Sequence, residues 1–114
     1  MSLQRVLDTL KSLGLKQVDA NVYVFLAKNG PHNGKNLCNA LKMPNPYLYQ
    51  CLKNLESKGV VNVTSKRPAL FSAVPFEKVL DFLVKMKLEE AQRMQQNMDE
   101  ALSHWKALIS EDFK

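Results

Sequence analysis

Cysteine is scarce in these 114 residues, and long apolar runs are absent. Cys38 and Cys51 are the only two cysteines, too few for a disulfide scaffold and not spaced as a CxxC pair. Two buried thiols in a reducing compartment are therefore expected. No apolar stretch approaches the ~20 residues that a membrane-spanning helix needs. The opening segment MSLQRVLDTL carries a charged or polar residue in every turn and lacks the continuous core of a signal peptide. A cytoplasmic protein is the expectation. The sequence has no P-loop, no nucleophile elbow and no HExxH motif. His32 and His104 lie far from one another and from any acidic pair, so no catalytic constellation emerges and an enzyme is not expected. No metal or cofactor is expected either.

Acidic residues are sparse in the first two-thirds. Residues 1–75 hold ten Lys/Arg against three Asp/Glu (Asp8, Asp19 and Glu56), a balance of +7. Residues 76–114 hold six against eight, a balance of −2, and the two parts account for the net charge of +5. Such a division suits a chain whose first part alone meets a polyanion. Hydrophobic residues make up 46% and charged residues 24%, the balance of an ordinary globular protein.

Helical periodicity and its breakers mark out the elements. Leu3, Val6, Leu7, Leu10 and Leu13 recur at helical spacing, with Ser2 placed to cap that helix and Gly14 to end it. A second helix is predicted from Gln17 to Asn29, burying Val18, Val22, Phe25 and Leu26 and stopping at Gly30-Pro31. Asn33 is the predicted cap of a short helix through Leu37 and Leu41, which Met43-Pro44 breaks. Asn45 is expected to cap a fourth helix, with Pro46 in its first turn and Gly59 as its stop after Lys58. Two β-rich runs follow, Val60–Thr64 and Leu70–Val74, joined by the polar turn Ser65–Ala69. From Phe76 to about Asp112 there is neither glycine nor proline, and one long helix of ~55 Å is predicted. The predicted class is mainly α with a small β-hairpin (α+β). A short helix, a tight turn and a second helix describe a helix-turn-helix, and the hairpin after it is a wing. Two parts are expected: residues 1–75 as a winged helix-turn-helix and residues 76–114 as a long dimerisation helix.

In the fourth helix Leu48, Cys51, Leu52 and Leu55 form one stripe, which should pack on the core. The opposite face carries Pro46, Gln50, Lys53 and Ser57, flanked by Tyr47 and Asn54. A recognition helix sets the exposed side chains of its N-terminal half against base edges in the major groove. Gln50 is the leading candidate for base reading, because its amide can pair with adenine in a bidentate manner. Asn45, Pro46 and Tyr47 lie beside it, and Asn45 and Tyr47 can add base or phosphate contacts. At Tyr49, half-buried packing competes with a phosphate contact. Lys53 and Lys35 suit phosphates. Lys66 and Arg67, at the hairpin tip, can reach the backbone or the adjoining minor groove. Asn36, Asn39 and Lys42 on the short helix are weaker candidates.

The stretch from Leu13 to Val74 resembles the N-terminal domain of the archaeal TrmB family of transcriptional regulators. The resemblance rests on LGL at 13–15, VDANVYVFLAKNGP at 18–31, NLCNALKMP at 36–44, LYQCLKNLESKGVV at 48–61 and RPALFSAVP at 67–75. It implies a winged-helix fold, dimerisation and sequence-specific binding of double-stranded DNA. Departures fall at Lys16, where the family usually has Ser or Thr; at Asn33-Gly34, where it favours Thr-Ala; and at Asn45-Pro46-Tyr47, where it often has Arg or Ser. The family's large sugar-binding domain has no counterpart in these residues, so sugar sensing is not carried over.

In the long helix Ala91, Met94, Met98, Ala101, Trp105 and Leu108 alternate three and four apart. This heptad seam is what a coiled coil needs. Upstream, the stripe shifts to Val79, Phe82, Leu83 and Met86, expected to cover the winged domain. A domain of ~75 residues has a radius of gyration near ~11 Å and cannot cover the distal seam of so long a helix. Pairing of two copies is expected, with parallel, antiparallel and larger-bundle arrangements all left open by the sequence. The functional expectation is a homodimeric transcriptional regulator on a pseudo-palindromic duplex operator. The alternative is a winged-helix protein–protein interaction module in a larger assembly. No small-molecule effector can be named.

Overall fold

The computed structural model describes residues 2–64 and 67–112. In chain order the elements are α1 (Leu3–Ser12), α2 (Gln17–Asn29), β1 (His32–Asn33), α3 (Gly34–Leu41), α4 (Asn45–Ser57), β2 (Val61–Val63), β3 (Leu70–Ala73) and α5 (Phe76–Asp112). The chain divides within α5 into two compact units, one ending at Leu83 and one beginning at Val84.

The first unit has one core. α1 contributes Leu7 and Leu10, α2 contributes Val22, Tyr23 and Leu26, and α3 contributes Leu37. From α4 come Leu48, Cys51, Leu52 and Leu55, the predicted stripe, and from α5 come Val79 and Leu83. The helix limits follow local chemistry. The Asn33 side chain accepts the Asn36 amide at 2.7 Å and caps α3 as expected. α4 ends where Gly59, at φ +75°, lets the chain turn back, with the Val60 amide bonded to the Leu55 carbonyl.

The structure corrects several expectations. Pro44, not Asn45, is the cap residue of α4 and makes no side-chain cap bond; the Asn45 side chain is held by Cys38 instead. Ser2 precedes α1 without a side-chain cap bond. In α2, Val18 is 39% exposed while Tyr23 is 1% exposed, because the buried face runs through Asp19, Ala20, Val22, Tyr23 and Leu26. The Tyr23 hydroxyl donates to the Val74 carbonyl at 2.6 Å, tying α2 to the end of β3. In α5, Phe82 and Met86 are exposed, and only Val79 and Leu83 of that quartet are buried.

The hairpin is part of a three-stranded antiparallel sheet of order β1-β3-β2. His32 faces Phe71 and Asn33 faces Leu70 on one side of β3; Val61, Asn62 and Val63 face Ala73, Ser72 and Phe71 on the other. The strand β1, just ahead of α3, is absent from the predicted elements. Thr64 closes the base of the wing loop: its amide donates to the Leu70 carbonyl, and its hydroxyl accepts the Leu70 amide at 2.9 Å.

The second unit is helical from Val84 to Asp112. Its surface carries a Lys87–Glu90 ion pair at 3.7 Å and a Gln95–Asp99 side-chain bond at 3.3 Å. Among the described residues, no helix is long and apolar enough to cross a membrane.

Candidate nucleic-acid interface

Burial of Leu48, Cys51, Leu52 and Leu55 leaves the other side of α4 in solvent. Asn45, Pro46, Tyr47, Gln50, Lys53 and Ser57 are all exposed, Tyr47 at 67%. The first turn is pinned from behind: the Cys38 thiol of α3 donates to Asn45 Oδ1 at 2.7 Å. The Asn45 amide nitrogen remains available for an outside acceptor. Gln50 donates to Asn54 one turn on, at 3.4 Å, which leaves its carbonyl oxygen and a second N–H free.

The flanks of α4 supply positive charge. Lys35, in the first turn of α3, is exposed, as are Asn36, Asn39 and Lys42. Arg67 is exposed on the wing, while Lys66 lies outside the described residues. Tyr49 is 49% exposed, with its ring edge-on to Phe71 of β3. A shallow cleft between α4 and the hairpin is lined by Tyr49, Lys53, Glu56, Val63 and Phe71. Glu56, absent from the predicted contacts, is exposed here and is the one acidic side chain on this face among the described residues. A carboxylate at that place repels phosphate and marks the side of the cleft where a polyanion is disfavoured.

Behind the exposed face of α4 lies a buried carboxylate that helical periodicity does not single out. Asp19 in the first turn of α2 is 2% exposed, and its Oδ2 has no hydrogen-bond partner among the described residues. It faces Cys51 of α4. Burial, a hydrogen bond to Asp19 and the Asp19 charge push the Cys51 thiol up from 9.0 to about 11, with Lys16 opposing. Cys51 is therefore a protonated, unreactive thiol at neutral pH. Among the described residues no group of three His, Cys, Asp or Glu side chains converges on a metal-sized site.

On the second unit, Met94, Met98, Trp105 and Leu108 of the predicted seam are each at least half exposed in the single chain, and Ala91 and Ala101 are exposed with them. Leu88 and Leu102, outside the predicted seam, are equally open. They follow the 3,4 repeat one residue behind its Lys87 and Ala101 positions, so the apolar stripe is broader than the two-position seam.

A helix-turn-helix of α3 and α4, backed by α1 and α2 and joined to a three-stranded wing, defines the winged helix-turn-helix class. Within that class, residues 10–77 match the family described as "Sugar-specific transcriptional regulator TrmB", and the chain belongs to this family. One relative is the HTH-type sugar sensing transcriptional regulator TrmBL1 of Pyrococcus furiosus, 25% identical over 97 residues. That alignment takes in 85% of this chain but 28% of the relative, so the chain spans little more than a quarter of that protein. Among solved structures, TrmBL2, described as an archaeal chromatin protein with a novel mode of DNA binding, superposes with a TM-score of 0.81 at 22% identity, over 96% of this chain and 43% of its own. The ST1889 protein of Sulfolobus tokodaii superposes with a TM-score of 0.63 at 24% identity, over 84% of this chain and 97% of its own.

Proposed function

We propose that this protein is a transcriptional regulator that binds a pseudo-palindromic DNA duplex as a homodimer. In this reading residues 1–75 bind, one α4 per half-site, and residues 76–114 pair. The observation that carries it is the solvent face of α4: Pro46, Tyr47, Gln50 and Lys53 stand free beside Lys35 and Arg67, on a part of the chain with a balance of +7. Gln50 reads a base edge, with adenine as its best partner because one amide presents a donor and an acceptor together. Asn45 and Tyr47 add contacts at the start of the helix, next to Pro46. Lys35, Lys53, Lys66 and Arg67 engage phosphates and set affinity without setting sequence.

The exposed Met94, Met98, Trp105 and Leu108 support the pairing. Such a stripe is larger than a solvated single helix tolerates, and a second copy presents the same stripe.

Selection of bound sequences from a random duplex pool tests the reading. A regulator enriches a two-fold symmetric site whose half-site spacing matches a helical turn or its multiples. Binding to duplex should also weaken steeply with salt, as expected for ~6–10 phosphate contacts. No binding to any duplex at low salt refutes the proposal and favours a protein-interaction module.

A further inference from the structure

The 3,4 repeat of the second unit runs upstream from Ala91 through Lys87 to Val84, and Lys87 is its one charged residue as far as Leu108. Within its own chain the Lys87 ammonium meets only Glu90, at 3.7 Å. The apolar members of the repeat are open around it: Val84, Met94, Met98, Trp105 and Leu108 are between 44% and 62% exposed. A lysine in such a seam weakens a helix pair unless the group across from it accepts the charge, and so it selects direction and register.

A parallel pair sets every seam residue against its own copy. Lys87 then meets Lys87, two like charges on the line of closest approach. The flanks also match badly. In a parallel pair opposite flanks face each other across the seam, which sets Leu102 beside the partner's Asn97 and Leu88 beside the partner's Leu83. Asparagine is polar, and Leu83 is already buried in the first unit. The two exposed leucines outside the seam are left without an apolar partner.

An antiparallel pair that matches Val84 with the partner's Leu108 removes both conflicts. Lys87 then lies across from the partner's Trp105, Ala91 from the partner's Ala101 and Met94 from the partner's Met98. Trp105 is the chain's only tryptophan and is 57% exposed, and an indole face is the best aromatic acceptor for an ammonium. On the flank, Leu88 comes beside the partner's Leu102, both of them open in the single chain. The charges agree with this direction. Residues 84–96 hold Lys85, Lys87 and Arg93 against Glu89 and Glu90, a balance of +1. Residues 97–108 hold Lys106 against Asp99 and Glu100, a balance of −1. Antiparallel packing lays each half on its opposite.

We propose that the second unit pairs antiparallel with a second copy of this chain, in the register that sets Lys87 on the partner's Trp105. Direction and register rest on the pairing proposed above, and neither depends on DNA binding.

Cross-linking of the full chain tests this. Val84→Cys and Leu108→Cys are made as separate proteins, mixed to exchange subunits and oxidised, and peptide mapping separates the new bonds from any at Cys38 or Cys51. A mixed disulfide between the two variants is expected. Neither variant alone should bridge through its new thiol, because the two copies of residue 84 lie about 36 Å apart in this arrangement. Self-bridging by either variant, or no bridge in the mixture, would overturn the proposal. Sedimentation equilibrium gives a second readout. Lys87→Glu should raise the dimer dissociation constant by about tenfold, while Lys87→Arg and Glu90→Gln, which keep the cation, should stay within about threefold of the parent. An unchanged constant for Lys87→Glu would overturn the register. Circular dichroism establishes that each variant is folded. If the parent sediments as a monomer, pairing and direction fall together; if it is a dimer whose variants self-bridge, direction alone falls.

Discussion

Replacing Tyr23 by Phe removes one oxygen from the centre of the first unit. The hydroxyl donates to the Val74 carbonyl at 2.6 Å, between residues 51 positions apart in sequence, and both partners are buried. Deleting the donor leaves a buried acceptor short of its bond, at a cost of about 1–3 kcal/mol. The ring and its packing remain, so no cavity cost adds to this. A loss of about 1–2 kcal/mol is expected, which lowers Tm by roughly 5–10 °C for a domain of this size. Urea unfolding followed by circular dichroism, at matched protein concentration, should show a lower midpoint with an unchanged slope. Tyr47→Phe, at a 67% exposed position, serves as the control and should shift stability by no more than about 0.5 kcal/mol. The pH dependence gives a second handle. Burial raises the Tyr23 pKa above 10.0, so the unfolded chain loses this proton first. Its contribution is complete below pH 10 and disappears as pH rises through the folded-state value. Cys51, raised from 9.0 to about 11, acts in the same direction, so alkaline weakening begins near pH 9, and Tyr23→Phe should remove only the later part. If Tyr23→Phe matches the parent within about 0.5 kcal/mol, the hydroxyl does not form the tie described here.

The remaining predictions concern the two faces. Gln50→Ala should change which base is preferred at one position of each half-site, by about 1–3 kcal/mol of discrimination, and a repeat of the pool selection reads this directly; an unchanged preference removes Gln50 from base reading. Replacing Lys66 and Arg67 together by Ala should weaken binding to every duplex alike and flatten the salt dependence by up to about two units, while unchanged affinity takes the wing out of the interface. Trp105→Ala removes the largest exposed side chain of the helical stripe and should move the sedimentation profile toward monomer; a dimer that persists unperturbed puts the interface elsewhere.

What was legible in the sequence was local. Helical spacing from Leu3 to Leu10, the Asn33 cap and the stop at Gly59 are decided within a turn or two of chain, and these features stand in the structure. The same holds for α5, whose continuity from Phe76 to Asp112 follows from the lack of any glycine or proline between them. The α4 stripe was equally plain, because Leu48, Cys51, Leu52 and Leu55 alternate with polar residues and only one face can be buried.

Tertiary structure decided the rest, because each remaining feature needs a partner distant in the chain or across a turn. In α2, Val18, Val22, Tyr23, Val24, Phe25 and Leu26 put apolar groups on most sides, so periodicity could not choose between Val18 and Tyr23; contact with β3 and α4 chose. His32 and Asn33 became a strand only because β3 offered them an open edge. Asn45 does not cap α4, because its side-chain oxygen accepts from the Cys38 thiol seven residues earlier, across the turn between α3 and α4. The approach of the Tyr49 ring to Gly34 spans the same turn. Periodicity and breakers therefore determined which segments are helices, and contacts between segments determined which face each buries and which side chains hold α4 in place.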